Sequence, residues 1–150
     1  ARIYKAGFKV GLIEKAYVYH KRRTSLWKFF KQIFNWGVAR INLSRLHPEL
    51  LKPIHLAPAV LLLLATSFIF FSWFTENLEL LTYAFVGLGL VALHVLIESF
   101  LKYRQIEVSF ISICTFIIQI LGYGLGTLYG YLQILLGSQE AKGFTKNYYK

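Results

Sequence analysis

The densest group of chemically active side chains in the sequence is the run His20, Lys21, Arg22, Arg23. A guanidinium presents paired N–H donors that match two phosphate oxygens, so two adjacent arginines with a lysine and a histidine suit a diphosphate. The same charges draw any anionic lipid surface, at about 1 kcal/mol per basic residue. Both chemistries stay open at this point. A second pair, His94 and Glu98, sits four residues apart in an apolar run, so on a helix the two share a face. Ionisable groups inside a span are functional candidates by default. A proton relay needs more partners than this run holds. The expectation is therefore a structural pair near the cytoplasmic end, with Glu98 reaching the interface.

Other chemistries find no support. The chain has no Asp, and its seven Glu (Glu14, Glu49, Glu76, Glu79, Glu98, Glu107 and Glu140) form no pair with acid/base logic. No zinc spacing, phosphate loop, Ser/His/Asp set or Cys/His set occurs. Cys114 stands alone, so an internal disulfide is impossible, and within an apolar run it has no charged neighbour to activate it. The chain itself is thus expected to hold no catalytic residue, no metal and no cofactor.

The elements that must position the basic cluster read as membrane elements. The chain is 56% hydrophobic and 17% aromatic with a mean hydropathy of +0.49, a membrane composition. Its formal charge of +10 is concentrated in residues 1–52, which carry 12 of the 17 Lys and Arg. Beside apolar runs, such a block reads as the cytoplasmic face of a membrane, not as a nucleic-acid interface. At 100° per residue, Leu26, Trp27, Phe29, Phe30, Ile33, Phe34, Trp36, Gly37 and Ile41 fall on one half of a wheel, and Lys28, Lys31, Gln32 and Asn35 on the other. That is the pattern of a helix lying flat in a bilayer interface, expected over residues 24–47 with an N-cap at Thr24 or Ser25. Arg40 breaks it and must snorkel, pair or point into a protein site.

Three apolar runs follow, at about residues 54–74, 78–101 and 108–136, each long enough to cross a bilayer. Short acidic and basic links join them. The positive-inside rule then places residues 1–52 and 102–107 in the cytoplasm, and the tail, residues 137–150, outside. Lys142, Lys146 and Lys150 in that tail conflict mildly with this, and a re-entrant third run is the alternative. Gly122, Gly126 and Gly130 recur every four residues, a ridge that lets two helix backbones approach closely; packing on the first two apolar helices is expected. Ahead of all this, residues 1–6 read as the end of a helix closed by Gly7. Residues 8–13 and 16–20 read as two short strands turned at Glu14–Lys15, too few for a sheet with its own core. They resemble the edge of a larger domain, and the chain reads as a C-terminal piece.

From Arg2 to Pro48 the sequence resembles the C-terminal segment of bacterial membrane-bound family 2 glycosyltransferases. Arg2, Lys5 and Gly7 match a helix-ending pattern, and Val18 and His20 a strand-ending one. Arg23, Ser25, Leu26, Phe29, Gln32 and Gly37 match the stretch that follows, and the His47–Pro48 step and the apolar runs complete the likeness. The Gln-Arg-Trp signature of processive synthases is incomplete: Gln32 and Trp36 stand, but Asn35 replaces the Arg. The resemblance implies that residues 1–23 are the edge of a GT-A catalytic domain, and that sugar passes from a nucleotide-sugar to a lipid-linked or polysaccharide acceptor for the cell envelope. It implies His20, Arg22, Arg23, Gln32 and Trp36 on the diphosphate and acceptor side, and a divalent metal (Mg or Mn) in a domain outside this sequence. The expected fold is mostly α: a short helix-and-strand remnant, one amphipathic interfacial helix and three transmembrane helices in a bacterial cytoplasmic membrane. The expected partners are membrane lipid, nucleotide-sugar and acceptor, not nucleic acid. The alternative, from another class, is a small non-enzymatic membrane protein with a polybasic lipid-binding arm.

Overall fold

The computed structural model describes residue 3, residues 6–19 and residues 25–144. The described residues hold four long helices: α1 (Leu26–Leu46), α2 (Ala57–Phe74), α3 (Leu78–Tyr103) and α4 (Ile106–Leu135). Two single 3₁₀ turns, Pro48–Leu50 and Pro53–His55, carry the chain from α1 to α2. Each boundary has a local cause. Ser25 caps α1 by accepting the Lys28 N–H at 3.2 Å. Pro48, which has no N–H to give, follows its last residue closely. Asn77 caps α3 by accepting the Leu80 N–H at 3.3 Å.

The three apolar runs are helices, and each is long and apolar enough to cross a membrane. Their surfaces are the reverse of a soluble core. None of the most apolar stretch of α3 is buried, and little of that of α2 or α4. Such exposure suits a hydrocarbon surround.

The two expected strands are absent. Residues 8–13 and 16–19 pair with nothing, and no strand occurs among the described residues. The turn at Glu14–Lys15 does form, with Ala16 N–H donating to Ile13 O at 3.1 Å. However, Leu12 and Val18 stay about nine-tenths exposed, at 92% and 88%. A lone two-stranded ribbon with no layer to cover one face does not hold its ladder.

α4 is the hub and touches all three other helices, α1 most extensively. This corrects the expected partner of the glycine ridge. Gly122 meets Ile33, Gly126 meets Phe34, and Gly130 meets Ile41 and Val38, all on α1. Gly124 alone of this stretch meets α2, at Pro58 and Leu62. Reciprocally, a Cβ added to Gly37 of α1 would meet Tyr123 O and would stand 2.7 Å from Thr127 N on α4. Residues 33, 37 and 41 therefore pair with 122, 126 and 130, so α1 and the C-terminal half of α4 run in the same direction. Rows four residues apart on both helices interdigitate, and the closest approach falls where two glycines face each other. At the N-terminal end of α4, Ser112 meets Ser99 of α3 with hydroxyl oxygens 2.8 Å apart. The two-residue link there makes α3 and α4 an antiparallel hairpin.

Candidate functional site

The assembled site is α1 itself, held from two sides. On one side lies α4. There Ile33, Val38 and Ile41 are 2%, 3% and 1% exposed, the main apolar core of the described residues. On the other lies the chain after α4. That helix ends in a paired turn: Ser138 N–H donates to Gln133 O and Gly137 N–H to Ile134 O, both at 3.0 Å. Gly137 takes φ +89°, a conformation that glycine enters without penalty. The chain then doubles back along α1 as an extended strap.

Side-chain amides grip this strap. Asn42 on α1 accepts the Ala141 N–H at 2.9 Å and donates to Ala141 O at 2.8 Å. Gln133 on α4 accepts the Lys142 N–H at 3.0 Å and donates to Lys142 O at 2.8 Å. Asn35 accepts the Phe144 N–H at 2.7 Å, and Arg45 donates to Gln139 O. Each planar amide thus serves as one rung of a β-ladder, and consecutive strap residues are satisfied from opposite sides. The strap ends in an aromatic cluster: the Phe144 ring stands 4.9 Å from Phe34, 6.0 Å from Trp27 and 6.3 Å from Phe30. Lys31 Nζ lies 5.2 Å from the Trp27 ring and 5.7 Å from Phe144, in cation–π range of both.

These contacts divide the aromatic half of the wheel. Ile33, Gly37 and Ile41 bury against protein, not lipid, and Phe30 and Phe34 are shared between α4 and the strap. Asn35, assigned to the polar half, is 7% exposed and holds the strap. A third face carries Lys28, Phe29, Gln32, Trp36, Ala39 and Leu43, exposed or half-buried among the described residues. Trp36 is 51% exposed there, and Gln32 is half-buried one turn before it. Arg40, the residue that broke the wheel, sits at the rim of this face, and its charge reaches the second 3₁₀ turn, Pro53–His55. His55 in that turn has its pKa lowered from 6.5 by partial burial, then by the Arg40 and Lys52 charges. Its Nδ1 accepts the Lys52 N–H at 3.0 Å, which suits the neutral ring.

No known protein family, curated protein or solved structure matches this chain.

Of the residues singled out from sequence, Gln32 and Trp36 share one face of α1, and Gly122, Gly126 and Gly130 lie under the opposite side. His20, Arg22 and Arg23 lie outside the described residues. His94 and Glu98 are both exposed on α3, remote from α1 in sequence and fold. The strap and its clamps, Asn35, Asn42 and Gln133, had no signature in the sequence beyond polar amides set among apolar neighbours. Away from α1, a shallow apolar concavity of about 520 Å³ lies along α2, lined by Thr66, Ser67, Phe70, Phe71 and Phe74. No titratable side chain enters it.

Proposed function

We propose that this chain is the membrane-anchoring, acceptor-side part of a family 2 glycosyltransferase working at the cytoplasmic face of a bacterial membrane. The observation that carries the reading is that one face of α1 bears both Gln32 and Trp36. Gln32 and Trp36, both in the stretch that resembles the family, stand one turn apart on a helix whose other sides are occupied, beside helices of membrane length. Ser25, the cap of α1, follows Arg23 by two residues, so the basic cluster leads directly into this face along the chain.

In this reading Arg22, Arg23 and His20 meet the diphosphate of the nucleotide-sugar. Their charge offsets what accumulates as the sugar leaves. The Gln32 amide and the Trp36 ring orient an acceptor whose lipid part stays in the bilayer beside α2 to α4. The sequence has no Asp, so the divalent metal and the acid/base chemistry belong to a domain outside this sequence, and this chain alone turns nothing over.

The test uses membranes carrying the protein in its full reading frame, supplied with labelled nucleotide-sugars. Transfer to a lipid-extractable or polymeric product is expected, reduced at least about tenfold by Arg23→Ala, a loss of about 1.4 kcal/mol of transition-state binding. Unchanged turnover with weaker flotation on anionic vesicles would replace this reading with that of a polybasic lipid-binding arm.

A further inference from the structure

We propose that the chain crosses the membrane an even number of times: α3 and α4 form the crossing hairpin, and α2 enters one leaflet and leaves on the face from which it came. This inference needs the bilayer, not the glycosyltransferase reading.

Three contacts carry it. First, α1 packs against residues 122–130 of α4. Residue 122 lies 16 residues into that helix, about 24 Å from its start at 1.5 Å per residue. The strap confirms the placement, since residues 139–144 leave the C-terminal end of α4 and hydrogen-bond to α1 at Asn35, Asn42 and Arg45. A tail bonded to α1 cannot lie across the membrane from it. Second, α2 begins against the same C-terminal half of α4, because Pro58 and Leu62 bracket the space over Gly124. Third, α3 runs antiparallel to α4 from the Ser99–Ser112 contact. Its 26 residues span about 39 Å, long enough to return its first residue to the α1 end. The link at residues 75–77 therefore also lies at that end, and both ends of α2 share one face.

The character of α2 fits this path. It is the shortest of the three apolar helices, at 18 residues, and apolar on all sides, so it can lie obliquely among the acyl chains of one leaflet. Its backbone bonds are satisfied within the helix, as hydrocarbon requires. Charge agrees as well. An odd number of crossings leaves Lys142, Lys146 and Lys150 opposite the basic block. The even topology gathers fifteen of the 17 Lys and Arg, twelve in residues 1–52 and three in the tail, on one face, against Lys102 and Arg104 on the other. The mild conflict in the charge pattern disappears.

The test is side-specific thiol labelling. In a Cys114→Ala background, single cysteines are placed by Lys52→Cys, Glu79→Cys, Gln105→Cys and Gln139→Cys. Intact cells and inverted membrane vesicles are then exposed to an impermeant maleimide. Positions 52, 79 and 139 are expected to label from the cytoplasmic side and position 105 from the opposite side. A three-crossing zigzag instead groups 52 with 105 and 79 with 139, and that pattern overturns the inference, as does labelling of all four from one side. Where a cysteine variant fails to accumulate, a C-terminal fusion reads the same question. A fluorescent protein that matures only in the cytoplasm is expected to light, and activity of an exported phosphatase fused at that point would refute the shared face.

Discussion

Replacing Gly126 by alanine should loosen the whole assembly, and the size of the effect follows from what surrounds that residue. Within a helix, Gly→Ala is ordinarily favourable by up to about 1 kcal/mol. At Gly126 the new methyl would meet the carbonyl oxygen of Phe34, with Phe34 C at 2.9 Å and Cα at 3.1 Å. These are backbone atoms in the middle of α1, so no side-chain rotation relieves the overlap; α1 must retreat as a body. A radial gap of about 0.5–1 Å forfeits a quarter to a half of the dispersion energy across a contact. The side chains that would lose it, Ile33, Val38 and Ile41, are almost wholly buried. Overpacking typically costs about 1–3 kcal/mol, and with the lost contacts a destabilisation of about 2–4 kcal/mol is expected. At roughly 2–4 °C per kcal/mol for a chain of this size, Tm falls by roughly 4–16 °C. The assay is thermal unfolding in detergent followed by tryptophan emission, to which Trp27 and Trp36 on α1 contribute. Gly89→Ala is the control, since a methyl there meets nothing within 4 Å; it should leave Tm unchanged or raise it slightly. Gly37→Ala lies on the same crossing, so its effect should add only partly to that of Gly126→Ala. Equal melting of Gly126→Ala and Gly89→Ala would refute the close approach of α1 and α4.

Other outcomes follow from single contacts. Thr127 is fully buried and its hydroxyl has no hydrogen-bond partner among the described residues; Thr127→Val keeps the shape, drops the unpaired group, and should raise the melting temperature by an amount worth about 1–2 kcal/mol. Asn42→Ala removes both bonds to Ala141 at a cost of about 1–3 kcal/mol, and should speed hydrogen exchange at residues 139–144 while leaving α3 unchanged; equal protection in both proteins would count against the clamp. His55 has a lowered pKa in the fold, so its contribution to stability is complete above its ordinary value of 6.5 and is lost as pH falls through the lowered one. Wild type should therefore lose more melting temperature between neutral pH and about pH 5 than His55→Gln does, and parallel curves would reject the assignment.

The three apolar helices were legible because hydrocarbon selects on composition alone: twenty or so uncharged residues suffice, whatever they pack against. The ends of α1 were legible for a similar reason, since Ser25 and Pro48 act on their own few neighbours. The partner of the glycine ridge was not. A glycine row says that some backbone comes close; which one depends on residues nearly ninety positions away, and Gly37 offers only a single glycine as a hint. The aromatic wheel misled in the same way. In water, periodicity separates the face that packs from the face that is solvated. Beside lipid both faces can be apolar, so Ile33 and Trp36 look alike in sequence, yet one is buried at 2% and the other is exposed at 51%. Asn35 reads as polar surface because amides usually are, and the backbone that it and Asn42 satisfy arrives more than ninety residues later.

How α1 is fastened bears on what it can do. Lipid tails are as apolar as isoleucine, so burying Ile33 and Ile41 gives α1 little reason to prefer α4 over hydrocarbon. What distinguishes the two is close packing at Gly37 and Gly126, and the amide bonds of the strap, for which lipid offers no substitute. A helix held only by its apolar stripe could roll about its axis and present any residue to the interface. With the glycine crossing on one side and Asn35 and Asn42 bonded on the other, rolling breaks both sets of contacts together. The face bearing Gln32 and Trp36 then has one direction relative to the membrane helices. That is the condition an acceptor-side surface must meet if an active centre elsewhere is to find its substrate at a fixed height above the bilayer. Under the proposed function, strap variants should accordingly impair sugar transfer more than membrane insertion, because insertion depends on α3 and α4 while orientation depends on the clamp.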